Sequence, residues 1–279
     1  HRDLHSFPTR RSSDLQQSIP QSDVDVNIPE NPKNTYRFAL IIGNEDYASY
    51  QRTVGVEANV AYAVNDALKF KEYCIKTLGV EERNVFYLAN ATTGAMNQNI
   101  DLVTKIASKL AGKAEIIFYY AGHGLPDEIT KVPYLIPVDV NAANLSSAVK
   151  LNEVYQKFSD CGAKRITVFL DACFSGGGRE AGLLSARSVR VKPKEEVAQG
   201  NLVVFTASSG EQSSLPYKEK GHGMFTYWVL KHLQQSKGKS SYGELARFVN
   251  ENVSVESLRT NYKEQDPQVN VSPSLQATW

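Results

Sequence analysis

The chain has 279 residues, of which 42% are apolar and 22% charged, with a formal net charge of +1. This is ordinary globular composition, long enough for one large domain or two small ones, and it makes neither nucleic acid nor an anionic membrane an expected partner. No apolar run in the visible chain approaches the ~20 residues of a membrane-spanning helix. The three cysteines, Cys74, Cys161 and Cys173, lack the number and spacing of a disulfide framework.

The first fifteen residues stand apart. The run HSFPTRRSSDL, from His5 to Leu15, is what translation of a common DNA-sequencing adapter yields in one frame, and no initiator Met precedes it. Residues 1–15 are therefore expected to be an adapter-derived leader with the true start missing, so the lack of a signal peptide leaves localisation unknown. Residues 16–34, with Pro20, Pro29 and Pro32 among polar side chains, read as a disordered linker.

From Tyr36 the pattern is regular. RFALIIGN reads as a buried strand ending at Gly43, followed by a helix over about Asn59–Leu78 with Ala63, Ala67, Phe70, Cys74 and Leu78 on one face. Val85–Asn90 is a second strand, and Met96–Leu110 a second helix. Then come the strand EIIFYYAGHG, a short YLIPVD segment, a helix near Leu151–Phe158 and the strand RITVFLDACFSGGG. Roughly 25 residues of Gly, Ser, Arg and Lys follow, a length that in a compact domain is usually functional or mobile. Leu202–Ser209 resumes the sheet, and helices are expected over Met224–Gln234 and Tyr242–Glu251. Strands alternating with helices predict an α/β sandwich with a mostly parallel central sheet.

Two apolar strands end in residues that carry chemistry, His123 and Cys173, 50 positions apart. Strands of Ile, Phe, Tyr and Val are buried on both faces, and reacting groups in such sheets gather beyond their carboxyl ends. A thiol and an imidazole there form a nucleophile and its general base. The thiol's ordinary pKa near ~8.5 makes a neighbouring base necessary at neutral pH. Gly122 and Gly124 flank His123 and leave room for close approach, and the N–H groups of Gly124 and Cys173 are candidates for an oxyanion hole. His222, also between glycines, is a rival that reads as the opening of a helix or as groove lining. Cys74 and Cys161 read as buried, inert thiols. Asp171 lies two residues before Cys173 and so faces the same side of its strand. Asp66, on the first helix, means little by itself. No His/Cys cluster has zinc spacing, so no metal site is expected.

The His-Gly tip, the interval of 50 residues and the Asp171-Ala172-Cys173 tip resemble the caspase-like cysteine peptidases. The Asp form, preceded by Tyr-Ala-Gly-His-Gly, is similar to the metacaspase, paracaspase and bacterial caspase-homologue branches. Phe38–Gly43 with Asn44, Asn65-Asp66, Tyr134–Asp139, Thr206–Ser209, Gly221–Tyr227 and Gln265–Gln268 extend the likeness over about Tyr36–Gln268. The resemblance implies a caspase-like αβα sandwich over 35–279, with a large-subunit-like part 35–178, a processing loop 179–198 and a small-subunit-like part 199–279. It implies a cysteine-type endopeptidase, a hydrolase with a His123/Cys173 dyad and no obligatory third acid. It also implies that Asp66 and Asp171 line the primary specificity pocket and favour Arg or Lys before the scissile bond, as two carboxylates facing a guanidinium or ammonium should. Phe174 stands where the family motif often has His, which should alter the rim and leave the chemistry.

Such a specificity cuts basic residues, and Arg179, Arg187, Arg190, Lys192 and Lys194 in the loop are the autoprocessing candidates. No cofactor is required, and calcium stays open because the loop acids pick out no ligand set. Polypeptides are the expected partners, with monomer and homodimer both open. Two other readings remain: a Cys-before-His hydrolase or amidotransferase using His222, and a catalytically weak caspase-like signalling or scaffold module.

Overall fold

The computed structural model describes residues 19–174, 200–210 and 212–271. The autoprocessing candidates and the leader lie outside the described residues. The central sheet is built from β1 (Arg37–Gly43), β2 (Val85–Ala89), β3 (Glu115–Ala121), β7 (Arg165–Asp171), β8 (Leu202–Thr206) and β11 (Gln268–Val271). Its order is β2-β1-β3-β7-β8-β11, parallel throughout except for β11, which runs antiparallel to β8. Three short strands form a side sheet, β4 (Gly124–Pro126), β5 (Pro133–Leu135) and β6 (Val149–Lys150), and two form a ribbon, β9 (Pro216–Tyr217) and β10 (His222–Gly223).

Alternation along each central strand feeds two separate cores, as a sheet covered on both faces requires. Ala39, Ile41, Ile117, Tyr119, Phe169, Val203 and Phe205 face a core shared with α1 (Ala63–Lys76), α4 (Met224–Ser236) and α5 (Tyr242–Asn261). Leu40, Ile42, Phe118, Tyr120, Val168 and Leu170 face the other, shared with α2 (Thr93–Ser108) and α3 (Leu151–Asp160). This is the αβα sandwich with a mostly parallel sheet expected from the sequence.

Element ends differ where local chemistry overrides periodicity. Helix α1 begins at Ala63, not Asn59, because Val56–Ala58 forms a 3-10 turn and Tyr62 takes a left-handed conformation. Helix α2 begins earlier than its apolar stripe because the Thr92 side chain caps the Ala95 N–H. Helix α5 runs ten residues past Glu251, and its buried stripe of Leu245, Val249, Val253 and Ser257 steps four residues at a time to the end.

The linker expectation for 16–34 is corrected over residues 19–34. Val24 is fully buried, and its carbonyl accepts from the Tyr73 hydroxyl at 2.8 Å. Asn31 Nδ2 donates to the carbonyls of Thr77 and Lys237, and Gln234 Nε2 to those of Asp23 and Val26. Polar, proline-rich composition disfavours a core of its own, but a segment lying across α1 and α4 borrows theirs. Among the described residues, no helix is long and apolar enough to cross a membrane.

Candidate active site

Strands β3 and β7 pair in parallel with Ala121 opposite Asp171, so His123 and Cys173 each follow their strand end by two residues. The register therefore delivers both candidates to the carboxyl edge of adjacent central strands, the crevice position of parallel sheets. Both are nearly enclosed, His123 at 3% and Cys173 at 2% exposure. The Gly122 N–H donates to the Asp171 carbonyl at 3.3 Å and ties the two tips together.

His123 is held on every side. Its Nε2 donates to the Ala58 carbonyl at 2.7 Å, which sets the neutral ring to the tautomer with an unprotonated Nδ1. Its backbone N–H donates to the Tyr47 hydroxyl at 3.0 Å, and its carbonyl accepts from the Tyr120 hydroxyl at 2.7 Å and the Ile136 N–H at 3.0 Å. The Tyr47 ring lies 4.7 Å from the imidazole, centroid to centroid, and its hydroxyl donates to the Ile136 carbonyl. Burial pushes the Tyr47 and Tyr120 hydroxyls well above the ordinary phenol range, so both stay protonated donors.

The Cys173 sulfur is engaged by the loop after β8, where it accepts from the Ser214 N–H and donates to the Ser214 carbonyl at 3.7 Å. That loop is braced by Gln265, fully buried, whose Oε1 accepts from the Leu215 N–H and whose Nε2 donates to the Ala207 carbonyl. The flanking glycines are required by the protein itself. A Cβ at Gly122 would stand 2.7 Å from the Tyr120 hydroxyl, and one at Gly124 would stand 2.7 Å from the Phe174 ring and 3.0 Å from the Cys173 carbonyl. The bond from Ile136 N–H to the His123 carbonyl makes Gly124–Leu135 a non-hydrogen-bonded pair of the side sheet. In such a pair the Gly124 N–H points away from the neighbouring strand.

The two acids meet at one element, the amino end of α4. Asp171 accepts from the Ser214 and Thr226 hydroxyls, and from the Thr226 N–H at 3.3 Å. Asp66 accepts from the Gly223 N–H at 2.9 Å, while its neighbour Asn65 donates to the Gly221 carbonyl at 2.9 Å. Both buried acids thus take N–H groups at the amino end of α4 that have no partner within the helix. His222 stands just ahead of α4, as a helix entry, and does not line a groove. It lies in β10, fully buried, with Nδ1 donating to Asp66 at 2.7 Å and Nε2 to Asp25 at 3.1 Å. Burial lowers its pKa, but those two carboxylates overcome this and raise it from 6.5 to about 9.

Cys74 and Cys161 are both buried, and burial raises both thiols above their ordinary range. Among the described residues, no group of three or more His, Cys, Asp or Glu side chains is arranged to hold a metal ion. Ala58, Tyr47, Ser214 and Asp25 carry no sequence signal for their places, since all four act through backbone or long-range contacts. Thr226 belongs to the GHGMFTY run that the resemblance singled out without a role.

The structure is similar to that of caspase-1 from Spodoptera frugiperda, with a TM-score of 0.63, 13% identity and coverage of 95% of this chain and 96% of that one. It is also similar to protein GSU0716 from Geobacter sulfurreducens, with a TM-score of 0.61, 16% identity and coverage of 88% and 97%. At these identities the likeness establishes the fold. No curated protein matches the chain by sequence. A family model described as "Caspase domain" matches residues 36–277, and the chain therefore belongs to the caspase-domain family of cysteine peptidases.

Proposed function

We propose that the protein is a cysteine endopeptidase that cleaves after Arg or Lys, using Cys173 as nucleophile and His123 as base. The observation that carries this reading is the commitment of His123 Nε2–H to the Ala58 carbonyl, which leaves Nδ1 as the nitrogen with a lone pair. Nδ1 takes the Cys173 proton as sulfur attacks the scissile carbonyl, and the resulting oxyanion is met by the Gly124 and Cys173 N–H groups. Collapse expels the amine, which takes the proton from the imidazolium and leaves a thioester. Water, deprotonated by Nδ1, then hydrolyses the thioester and returns the thiol. The third group of this arrangement is a backbone carbonyl, consistent with a dyad that needs no acid.

Asp66 and Asp171 are the groups we assign to basic specificity, because two buried carboxylates converge on the first turn of α4. The same preference makes Arg179, Arg187, Arg190, Lys192 and Lys194 the proposed autoprocessing positions. His222 does not suit the rival role of base, since both ring nitrogens already donate to carboxylates.

Fluorogenic peptides ending in Arg, Lys or Asp, assayed with and without calcium, test the reading. We expect turnover of the Arg and Lys peptides, its loss in Cys173→Ala and His123→Ala, and an intact loop in Cys173→Ala. Cleavage of the Asp peptide alone would reject the specificity, equal nicking of mutant and wild type would reject autoprocessing, and undiminished turnover in His123→Ala would reject the dyad.

A further inference from the structure

The segment ahead of the sheet reaches one of the two candidate pocket acids, Asp66, through His222. Residues Asp23–Asp25 form a 3-10 turn whose Asp23 is tied to Lys220, Lys231 and the Tyr227 hydroxyl. The turn is closed by the Ser22 N–H on Asp25 Oδ2 at 2.8 Å. This leaves Asp25 Oδ1 on His222 Nε2, while His222 Nδ1 reaches Asp66 Oδ1 at 2.7 Å and the Gly223 N–H spans both Asp66 oxygens, Oδ2 at 2.9 Å and Oδ1 at 3.2 Å. Gly221, just before His222, has a left-handed φ of 64°, and a Cβ there would meet Ile19 at 2.6 Å and the Pro20 carbonyl at 2.8 Å. The amino-terminal segment is thus seated directly on the strand that presents His222.

A carboxylate that only capped α4 would need the Gly223 N–H and nothing more. Here a second donor of fixed direction comes from β10, and a third charged group comes from a different part of the chain. Two carboxylates around one buried imidazole are a costly way to stabilise a fold, since apolar replacements of similar size commonly do as well. Their effect on Asp66 is directional: rotation of its carboxylate is stopped, which is what a bidentate guanidinium partner requires of an acceptor.

We infer that His222 is a positioning residue of the substrate site, holding the Asp66 carboxylate through Nδ1 and held in turn by Asp25, so that the segment before the sheet is a built part of the specificity pocket. This rests on the basic-residue preference proposed above.

The test is steady-state kinetics on an arginine-ending peptide with wild type, His222→Ala, His222→Asn, His222→Gln and Asp25→Ala, all as full chains. Loss of positioning should raise KM about tenfold in His222→Ala, with kcat falling no more than about threefold. His222→Asn keeps a donor where Nδ1 stands and should return KM to within about threefold of wild type. His222→Gln, whose amide reaches toward Asp25 instead, should not, and Asp25→Ala should raise KM about threefold. The Asn–Gln contrast carries the decision even if His222→Ala fails to fold. Equal KM in the Asn and Gln variants, or losses confined to kcat or to melting temperature, would overturn the inference while wild-type cleavage after Arg or Lys stands. A wild type that cuts neither peptide overturns the specificity reading and this inference with it.

Discussion

At the scale of single residues, the candidate site is held by contacts with no slack. Gly124 lies against the Phe174 ring and the Cys173 carbonyl, so Gly124→Ala must displace the very tip that carries the thiol. A shift of that kind is expected to lower kcat/KM by about ten- to a hundredfold with the melting temperature nearly retained, as read by peptide turnover beside a thermal scan. Tyr47 is the second such residue, since its hydroxyl accepts from His123 N–H and donates to the Ile136 carbonyl. Tyr47→Phe strands a buried N–H and is expected to cost about 1–3 kcal/mol in denaturant unfolding. A variant as stable as wild type would show that the backbone of His123 is held by its other bonds alone.

At the scale of elements, α4 is the piece on which the site is assembled. Its first turn receives Asp66 and Asp171, and its exposed side receives the 3-10 turn of the amino-terminal segment through Lys231 and Gln234. The charge between them is pH-sensitive. His222 faces Asp66 of α1 and Asp25 of the turn, with the Tyr227 ring of α4 6.5 Å away. With a folded pKa raised from 6.5 to about 9, its stabilising contribution is complete below pH 6.5 and lost as pH rises through about 9. Asp25 works in the opposite sense. Burial raises its pKa, but His222 and the Ser22 N–H hold it below the ordinary 3.8, so its contribution is lost only as pH falls beneath that range. The stability difference between wild type and His222→Asn, followed by urea unfolding, is therefore expected to be level from about pH 5 to 6.5 and to shrink towards pH 10. A difference that grows across the alkaline range would contradict a charged His222.

At the scale of the whole molecule, the two ends of the sheet do different work. Opposite the site, at the amino end of β3, the buried Glu115 carboxylate takes Arg37 through Nε at 2.9 Å and Nη2 at 2.6 Å, and Arg165 at 2.9 Å. Burial raises its pKa, and these guanidinium groups bring it below the usual carboxylate range. Glu115→Gln leaves the Arg37 and Arg165 guanidinium groups without their negative partner and is expected to destabilise by about 3 kcal/mol. Because the strands carry this cluster at one end and His123 and Cys173 at the other, KM should be unchanged at temperatures where the variant is folded. A raised KM in the folded variant would mean that the two ends of the sheet are coupled.

The α/β order and both strand tips were legible because they rest on short-range regularities. Continuous apolar runs mark strands buried on both faces, and the glycine-flanked His and Cys mark where those strands stop. The resemblance singled out Asp66 and Asp171, and both are bonded at the amino end of α4. What composition misread was residues 19–34, since a proline-rich polar segment looks unfoldable unless the surface it covers is known. The Ala58 carbonyl, the Ser214 loop, the Gln265 brace and the Asp25–His222–Asp66 chain were likewise invisible, each joining residues dozens to nearly two hundred positions apart through a backbone atom or a single side chain. Periodicity along a chain reports which face is buried, and so the sequence by itself determined the sheet, its helices and the two strand tips that carry His123 and Cys173. Which groups orient those tips depends on chain segments that meet only after folding, and the tertiary structure alone decided it.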